Sequence, residues 1–298
     1  MKQLEIVDTH HHLWDITNNY YPWLIDDIKT MWIGDYSSIR KDYLVKDYLE
    51  DCKNQNVVKS VHLQALWNPC DPVGETRWLQ QCYDEYGYPH GIVAYANFAE
   101  PNVEDLLKAH CQYPNVKGIR MDLNWHDNPL YRFTERPDYM TDEIWLSNFA
   151  LLEKYNLSFD LQIYCHQIPE AIKVVERFPN IQFILTHAGM PIDISDEGLS
   201  FWSENMKLLA SFKNVAVKIS GLRMFDKNWT TESRKKIVMK TIEIFGVNRC
   251  MFASNFPVER LFGSYDDIFN SFKEIINKFS QADKTKMFHD NAIYYYKL

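Results

Sequence analysis

The sequence predicts an α/β fold in which eight parallel strands alternate with helices and close into a single-domain (β/α)8, or TIM, barrel over residues 1–298. Three observations lead to this prediction. The chain has 298 residues, of which 46% are apolar, and this is enough to bury the large core of a barrel. Short β-rich runs alternate with amphipathic stretches of helix length, and no low-complexity linker interrupts them. In several of the runs, every second residue is polar.

The predicted strands are short and rich in residues that favour extended backbone. They are Glu5–His12, Lys59–Leu66, Ile92–Phe98, Lys117–Asn124, Ser158–Tyr164, Gln182–His187, Ala216–Gly221 and Met251–Asn255. The stretches between them have helical periodicity. The predicted helices are Glu75–Tyr86, Val103–His110, Asp142–Tyr155, Pro169–Arg177, Leu199–Phe212, Thr231–Phe245 and Tyr265–Phe279.

Alternation within the strands favours a barrel over an open sheet. Successive side chains of a strand point to opposite faces. The alternating polar residues are His62 and Gln64, Arg120 and Asp122, Asp160 and Gln162, and Lys218 and Ser220. Strands of a doubly wound sheet are covered on both faces and are continuously apolar, which disfavours that alternative, and the regular helices disfavour a half-solvated antiparallel sheet. We expect the apolar members, including Val61 and Leu63, to contact the helices, and the polar members to point into the barrel.

The strongest local motif is Asp8-Thr9-His10-His11-His12 at the end of the first strand. By strand periodicity His10 and His12 share a face, and His11 points away. Two such imidazoles can hold a divalent metal through neutral nitrogens or can hydrogen-bond a polar substrate. The alternative is a polar strand end that makes structural hydrogen bonds.

Two further strand ends carry candidate site residues. His187 ends the sixth strand in Thr-His-Ala-Gly, and Asn255 ends the eighth in Ser-Asn-Phe-Pro. Strands one and eight are neighbours in a closed barrel, so Asn255 should lie beside the His10 and His12 pair. An amide can orient a water molecule or a carbonyl group but cannot accept a proton as a carboxylate does. The alternatives are a structural histidine and an asparagine that caps a turn.

Arg120 and Lys218 are inward-facing cations on separate predicted strands. Buried charges need partners. They either form ion pairs with Asp122 and Asp160 or provide an anion clamp for a carboxylated substrate. Further candidates for substrate contacts are Gln64, Gln162, Tyr164 and His166.

The aromatic-rich segment 14–42 is long for a βα loop, so we expect it to cover the C-terminal mouth of the barrel as a lid or pocket wall. The alternative is a packed excursion over the rim. A formal net charge of −8 without a basic block disfavours nucleic acid and anionic membranes as partners. Six scattered cysteines and the absence of a hydrophobic leader indicate a cytoplasmic protein. We expect a small molecule as its partner and leave open whether it forms a homo-oligomer.

An ordered set of motifs along nearly the whole chain resembles the amidohydrolase-2 type family of the amidohydrolase superfamily. These motifs are D-T-H-x-H-x-W at Asp8–Trp14, G-I-R at Gly118–Arg120, the run Ile184–Pro191, the run Met251–Val258 and the closing Asn291–Tyr296. This branch includes fuconolactonase-like and 2-pyrone-4,6-dicarboxylate lactonase-like hydrolases, together with decarboxylase relatives. The resemblance implies a barrel whose site lies at the C-terminal ends of the strands.

The resemblance also implies that His10, His12 and His187 hold a metal or the carbonyl group of the substrate. The sequence departs from the family pattern at strand eight, where Asn255 occupies the position of an aspartate that serves as metal ligand or base. The predicted fifth strand also lacks the internal histidine that metal-dependent members use. We therefore leave two possibilities open: one zinc-like divalent metal on His10 and His12, or no metal.

Three functions remain open at this point. The first is a hydrolase of a lactone or related cyclic ester that bears a carboxylate, in which the histidines polarise the carbonyl, Asn255 positions water and Arg120 holds the anion. The second is a decarboxylase with a firmly bound divalent metal. The third is a small-molecule-binding barrel that has lost catalysis at Asn255.

Overall fold

A computed structural model describes residues 4–28 and 30–298. It confirms a single-domain (β/α)8 barrel of parallel strands in the order β1 to β8. The strands are β1 (Ile6–His11), β2 (Val57–Leu63), β3 (Gly91–Tyr95), β4 (Val116–Arg120), β5 (Ser158–Leu161), β6 (Phe183–Leu185), β7 (Val215–Ile219) and β8 (Cys250–Phe252).

Helices surround the strands and connect consecutive ones. Their bounds are α1 (Pro22–Ile25), α2 (Val45–Cys52), α3 (Gly74–Tyr86), α4 (Val103–His110), α5 (Glu143–Phe149), α6 (Leu151–Lys154), α7 (Ile168–Arg177), α8 (Asp196–Ala210), α9 (Thr231–Phe245), α10 (Tyr265–Ile275), α11 (Gln281–Thr285) and α12 (Asn291–Tyr296). A π-helical turn at Lys286–Asp290 joins the last two.

Backbone hydrogen bonds between the first and last strand ends close the barrel. The amide of Asn255 donates to the carbonyl of His10 at 2.7 Å, and the amide of His12 donates to the carbonyl of Phe256 at 2.7 Å. These bonds place the residues that follow β8 beside the histidines of β1, as the sequence predicts for a closed barrel.

The interior of the barrel has its own apolar cluster, separate from the larger core between strands and helices. It comprises Val7, Val61, Leu63, Val93, Ile184, Ala216, Met251, Ala292 and Tyr296. Seven of these residues come from strands, and the last two come from α12, so the final helix packs onto the strands of the barrel. The interior is therefore a packed core, with room for a site only near the C-terminal ends of the strands.

The expected facing of β2 was wrong. Val61 and Leu63 belong to the interior cluster, and His62 lies on the opposite face, where its Nε2 is 3.8 Å from Glu75 Oε1 on α3. On β4 the expectation holds, because Ile119 lies in the outer core. Alternation alone could not distinguish the two faces of β2, because each face of a barrel strand is buried.

Most predicted elements are present, with shifted ends. The helix predicted over Asp142–Tyr155 is divided at Ala150 into α5 and α6, and α2 at Val45–Cys52 was not predicted. Several strands end earlier than predicted. The fourth strand, for example, was predicted to reach Asn124, but β4 ends at Arg120. No helix within the described ranges is long and apolar enough to cross a membrane.

Candidate functional site

A cavity of about 590 Å³ opens at the C-terminal ends of the strands. Its walls fall into two zones. The polar floor, at or just beyond the strand ends, is formed by His12, Tyr95, Arg120, Asp122, Gln162, His187 and Asn255. The apolar rim, on the loops, is formed by Trp23, Met31, Trp32, Ile33, Tyr36, Leu66, Trp67, Leu130 and Phe133. A cavity of this volume and composition is typical of small-molecule sites.

Three imidazoles that are distant in the chain meet at the floor, as the sequence predicts. The ring centroids of His10 and His12 are 5.2 Å apart, and those of His10 and His187 are 4.5 Å apart. His10 is fully buried behind the other two and does not line the cavity, and neither of its ring nitrogens has a hydrogen-bond partner. His12 and His187 therefore present the imidazole surface that a ligand would meet.

Asp8 fixes the end of β1 from the side opposite the cavity. Its carboxylate accepts hydrogen bonds from the Ser254 amide at 2.9 Å and from the Tyr48 and Tyr265 hydroxyls at 3.2 and 3.0 Å. The pairing of β1 with β2 is irregular between Asp8 and His11, and His11 stacks on Tyr48 at 4.2 Å. This aspartate thus anchors β1 to helices and to β8, while His11 points away from the cavity as predicted.

Hydrogen bonds orient both cavity-lining imidazoles. Nδ1 of His12 donates to the carbonyl oxygen of Leu63 at 2.8 Å, because a carbonyl oxygen can only accept. In the neutral ring, Nε2 of His12 therefore carries a lone pair. Nδ1 of His187 is hydrogen-bonded to Ser220 Oγ at 2.9 Å. Gly221 lies against the same ring, where a Cβ would come within 2.5 Å of His187 Nδ1, so this close approach requires glycine.

All three site imidazoles are held neutral. Burial lowers the pKa of His10, His12 and His187 well below the ordinary value, because the charged form loses its hydration. The next contribution to the lowered pKa is the charge of Lys218 for His10 and His187, and that of Arg120 for His12. Neutral imidazoles can accept a proton or a hydrogen bond at their free nitrogen.

Asn255 lies beside the first strand, as predicted. Its backbone adopts a φ of 57°, in the left-handed region that asparagine tolerates better than most residues. The Asn255 side chain lines the cavity and is close enough to His12 to raise the pKa of that ring slightly against the effect of burial. The turn role and the site role that the sequence left open are both compatible with this position.

Arg120 is held by a polar network at the floor. Its Nε is 3.6 Å from Asp122 Oδ1, its Nη1 donates to Gln162 Oε1 at 2.8 Å, and its Nη2 donates to the carbonyl of Gln64. The Gln64 side chain does not line the cavity but donates to Asp122 Oδ2 at 3.2 Å. Of the two alternatives for Arg120, the ion pair is formed, and both members of the pair line the cavity.

The structure does not bring Lys218 to the cavity. The residue is fully buried and forms an ion pair with Asp160, whose Oδ1 also accepts from the Tyr296 hydroxyl at 2.8 Å. Burial lowers the pKa of Lys218 to about 8. The anion-clamp alternative is wrong for this residue, because Lys218 does not line the cavity and donates its other hydrogen bond to the carbonyl of Thr9, at 3.4 Å.

Tyr164 and His166 also lie away from the cavity. The Tyr164 hydroxyl donates to the carbonyl of Tyr131 at 2.8 Å, and a ring nitrogen of His166 donates to the carbonyl of Trp125 at 3.0 Å. Both side chains therefore support the loop after β4. Their proximity to Gln162 in sequence suggested a site role, but the strand ends at Leu161 and the chain then turns outward.

Glu75 is a cavity-lining carboxyl that the sequence did not single out. It lies in the first turn of α3, where acidic residues are common for helix-dipole reasons, and this position gave no signal of a site role. Its side chain is buried, its Oε1 accepts from the Ala65 amide at 2.9 Å, and burial raises its pKa to about 8. Burial also lowers the pKa of the neighbouring His62, so the pair is uncharged near neutral pH.

Strained backbone is concentrated at the cavity. Among the described non-glycine residues with positive φ, four line it: Leu66, His187, Met190 and Asn255. Such conformations cost free energy and persist where surrounding contacts impose them, most often at functional sites. Their location is an independent indication that this cavity is the working site.

The segment 14–42 contributes Trp23, Met31, Trp32 and Tyr36 to the rim. Its two ends are tied together, because Trp14 and Tyr43 form an antiparallel bridge with backbone bonds of 3.0 and 2.8 Å. That the segment acts as a lid remains a prediction.

The donor set does not fit a preformed zinc centre. Zinc takes imidazole, thiolate or carboxylate ligands. At the floor, His12 and His187 are accompanied by the neutral amide of Asn255, and His10 lies behind them without lining the cavity. Within residues 4–28 and 30–298, no group of three or more His, Cys, Asp or Glu side chains is arranged to hold a metal ion.

Comparison with known proteins identifies the family. The model of the Amidohydro_2 family, described as amidohydrolase, matches residues 7–298. The chain belongs to this family. An uncharacterized protein, y4mH, of Sinorhizobium fredii is 47% identical over the full length of both chains. An L-fucono-1,5-lactonase of Burkholderia ambifaria is 21% identical over 98% of this chain and 95% of its own.

A solved structure is similar over the whole barrel. An amidohydrolase of Burkholderia multivorans with bound zinc superposes with a TM-score of 0.82 at 22% identity, over 98% of this chain and 99% of that one. At this identity the likeness shows the common fold. The amidohydrolase family is enzymatic, and its lactonase members are among the relatives of this chain.

Proposed function

We propose that this amidohydrolase hydrolyses the ring ester bond of a small lactone at the polar floor of the cavity. The observation that carries the proposal is the meeting of His12 and His187 with Asn255 at one end of the barrel, in a cavity large enough for a small molecule. The lactonase relative named above supports the choice of reaction.

His12 is the base in this proposal. Its Nδ1 is committed to the carbonyl of Leu63, so its Nε2 is free to take a proton from water. The amide of Asn255 orients that water. The resulting hydroxide adds to the lactone carbonyl carbon, and the negative charge that develops on the carbonyl oxygen is stabilised by the positive charge of Arg120, which lines the floor.

Collapse of the tetrahedral intermediate breaks the ring carbon–oxygen bond. The departing alkoxide takes the proton that His12 received from water, which returns His12 to its neutral form. The products are a hydroxy group and a carboxylic acid in one open chain, and one proton is released to solution at neutral pH. Every atom of the added water is thereby accounted for, and no redox partner is required.

A carboxylate on the substrate is not needed for this arrangement. Asp122 already compensates the charge of Arg120, so the guanidinium offers a hydrogen-bond donor more than an unpaired charge. A metal-dependent decarboxylase on the same barrel is the second candidate, and it requires a metal centre that the donor geometry does not favour.

Proton release from a lactone panel tests the proposal. Purified protein should acidify a weakly buffered solution of at least one lactone, and His187→Ala and His10→Ala should each remove this activity while the circular dichroism spectrum stays unchanged. Full turnover in both variants would refute the site. Ligand binding without turnover by the parent, together with turnover by Asn255→Asp, would identify a binding barrel that has lost catalysis.

A further inference from the structure

The apolar rim is chemically unlike the polar floor beneath it. Its side chains come from loops after three different strands, β1, β2 and β4, and they are aromatic or aliphatic, although Asp27, Thr30 and Asn68 from the same loops also line the cavity. A site that handled only a small polyhydroxylated ring would need mainly hydrogen-bonding groups at this level, because hydroxyl groups lose hydration against apolar side chains without replacement.

Two aliphatic side chains of the rim are unusually exposed. Leu66 is 40% exposed and Leu130 is 45% exposed, and both line the cavity. Leu66 is held there by a backbone with φ of 58°, a conformation that costs free energy for a branched residue. Both side chains therefore offer apolar surface that a bound molecule can cover.

Aromatic stacking fixes the shape of the rim. Trp32 stacks on Phe225 at 5.2 Å with an interplanar angle of 6°, and on Tyr131 at 5.8 Å with an angle of 25°. These contacts join the loop after β1 to those after β7 and β4. Trp32 is thus held in place by stacking, and the part of its ring that lines the cavity needs little ordering when a ligand binds.

The nearest rim cation is already occupied. Arg132 lies 4.4 Å above the Trp125 ring and donates to the carbonyls of His126 and Asp127, at 2.8 and 2.6 Å. Its charge is therefore directed to the backbone of its own loop, and the surface that it adds to the cavity wall is chiefly that of its chain and stacked guanidinium face.

We propose that the substrate is an amphipathic lactone, whose cyclic ester meets the polar floor while an alkyl or aryl substituent on the ring lies against the apolar rim. This inference rests on the proposed function and adds the class of substrate to it. Trp32, Leu66 and Leu130 are the residues that determine specificity, because they supply the preformed and exposed apolar surface.

A homologous series of δ-lactones tests the inference. The series carries hydrogen, methyl, butyl or hexyl at the carbon next to the ring oxygen, and a polyhydroxylated δ-lactone serves as comparison. Each buried CH2 should raise kcat/KM about threefold, so that the butyl compound exceeds the unsubstituted ring by on the order of 10²-fold. A flat series, or a polyhydroxylated lactone that is the best substrate, would overturn the inference while leaving lactone hydrolysis intact.

Matched leucine variants assign the effect to the rim. Leu130→Ala should lower kcat/KM for the hexyl lactone about tenfold more than it lowers kcat/KM for the unsubstituted ring. Leu208→Ala is the control, because Leu208 on α8 is 54% exposed and does not line the cavity. Equal effects of the two variants on the hexyl lactone would contradict the assignment.

A binding arm separates the rim from the chemistry. The corresponding alkyl δ-lactams keep the ring shape but resist hydrolysis, and their binding can be followed by tryptophan fluorescence. Tighter binding with chain length supports the rim assignment even if no lactone is turned over, in which case the proposed reaction is wrong. Absence of any chain-length effect in both arms refutes the inference.

Discussion

Two ion pairs lie inside the same barrel at different depths. Arg120 and Asp122, at the end of β4, line the cavity, and a guanidinium nitrogen of Arg120 is 3.6 Å from the carboxylate. Lys218 of β7 and Asp160 of β5 are fully buried, and a tyrosine hydroxyl also donates to the carboxylate. Both pairs look alike in sequence, yet only the first can meet a ligand. The comparison shows that facing and depth are separate pieces of information.

The largest expected effect concerns His12, the proposed base, which lines the cavity together with the Arg120–Asp122 pair. His12→Ala removes the proposed base, so kcat/KM for the best lactone should fall by about 10²–10⁴-fold. His289→Ala is the control, because His289 lies in the π-helical turn and contacts Asp290 instead of the cavity. Initial rates of proton release measure both variants. A loss of less than threefold in His12→Ala would mean that the base is elsewhere.

The buried pair of Lys218 and Asp160 should matter for the stability of the fold. Lys218→Met leaves Asp160 buried without its cation, and breaking a buried pair costs about 3–5 kcal/mol. Urea unfolding followed by tryptophan fluorescence measures this loss. The double variant Lys218→Met, Asp160→Leu should recover most of it, because both charges are then absent. A single variant as stable as the parent would show that the buried pair is not structural.

The cavity-lining pair of Arg120 and Asp122 should matter for activity more than for stability. Arg120→Met removes a charge-assisted hydrogen-bond donor from the floor, which should lower kcat/KM about 10- to 10²-fold. The free energy of unfolding should change less than in Lys218→Met, because water in the cavity can solvate Asp122. If Arg120→Met and Lys218→Met lose equal stability and Arg120→Met keeps full activity, the proposed difference between the cavity-lining pair and the buried pair is wrong.

Glu75 provides a carboxyl at the cavity wall, and its neighbour His62 is held neutral by burial. The pKa of Glu75 is raised to about 8 in the folded protein, from the ordinary 4.5, so the folded state holds the proton over that interval and the unfolded state does not. The stability that this proton contributes is therefore lost progressively as pH rises from about 4.5 to 8. Glu75→Gln should flatten this part of the stability profile, as measured by urea midpoints at pH 6 and 9. An unchanged slope would place the titration at another group.

The smallest expected effect is that of metal removal. Because the residue beside the imidazoles is the amide of Asn255 and not a carboxylate, incubation with a chelator should change the rate by less than about twofold. The check is activity before and after dialysis against the chelator, with metal content measured by mass spectrometry. A tenfold loss that zinc restores would show that the floor holds a metal despite Asn255.

Sequence reasoning reached the fold and the centre of the candidate site for a physical reason. Barrel closure forces the ends of β1 and β8 together, so His10, His12 and Asn255 had to be neighbours once eight strands were predicted. It failed where depth or loop path decides the outcome. Lys218 lies below the floor, and the chain after β5 carries Tyr164 outward, and neither fact is encoded in alternation.

The missed carboxyl has a different cause. Glu75 reaches the cavity from a helix, so it has no strand periodicity that could place it. The facing of β2 was predicted wrongly for the same reason as the depth of Lys218: alternation does not distinguish the interior from the outer face of a barrel strand. Val61 and Leu63 fill the interior, because the lower part of the barrel requires apolar volume.

The contact of Tyr296 with Asp160 has a practical consequence for protein engineering. The last helix, α12, packs against the interior cluster of the barrel like a stopper, and the hydroxyl of Tyr296 reaches the buried carboxylate of Asp160. Handles for purification or immobilisation should therefore be joined beyond Leu298 through a spacer, since trimming the terminal turn to accommodate them would unseat the stopper and admit water to a carboxylate that is now dry.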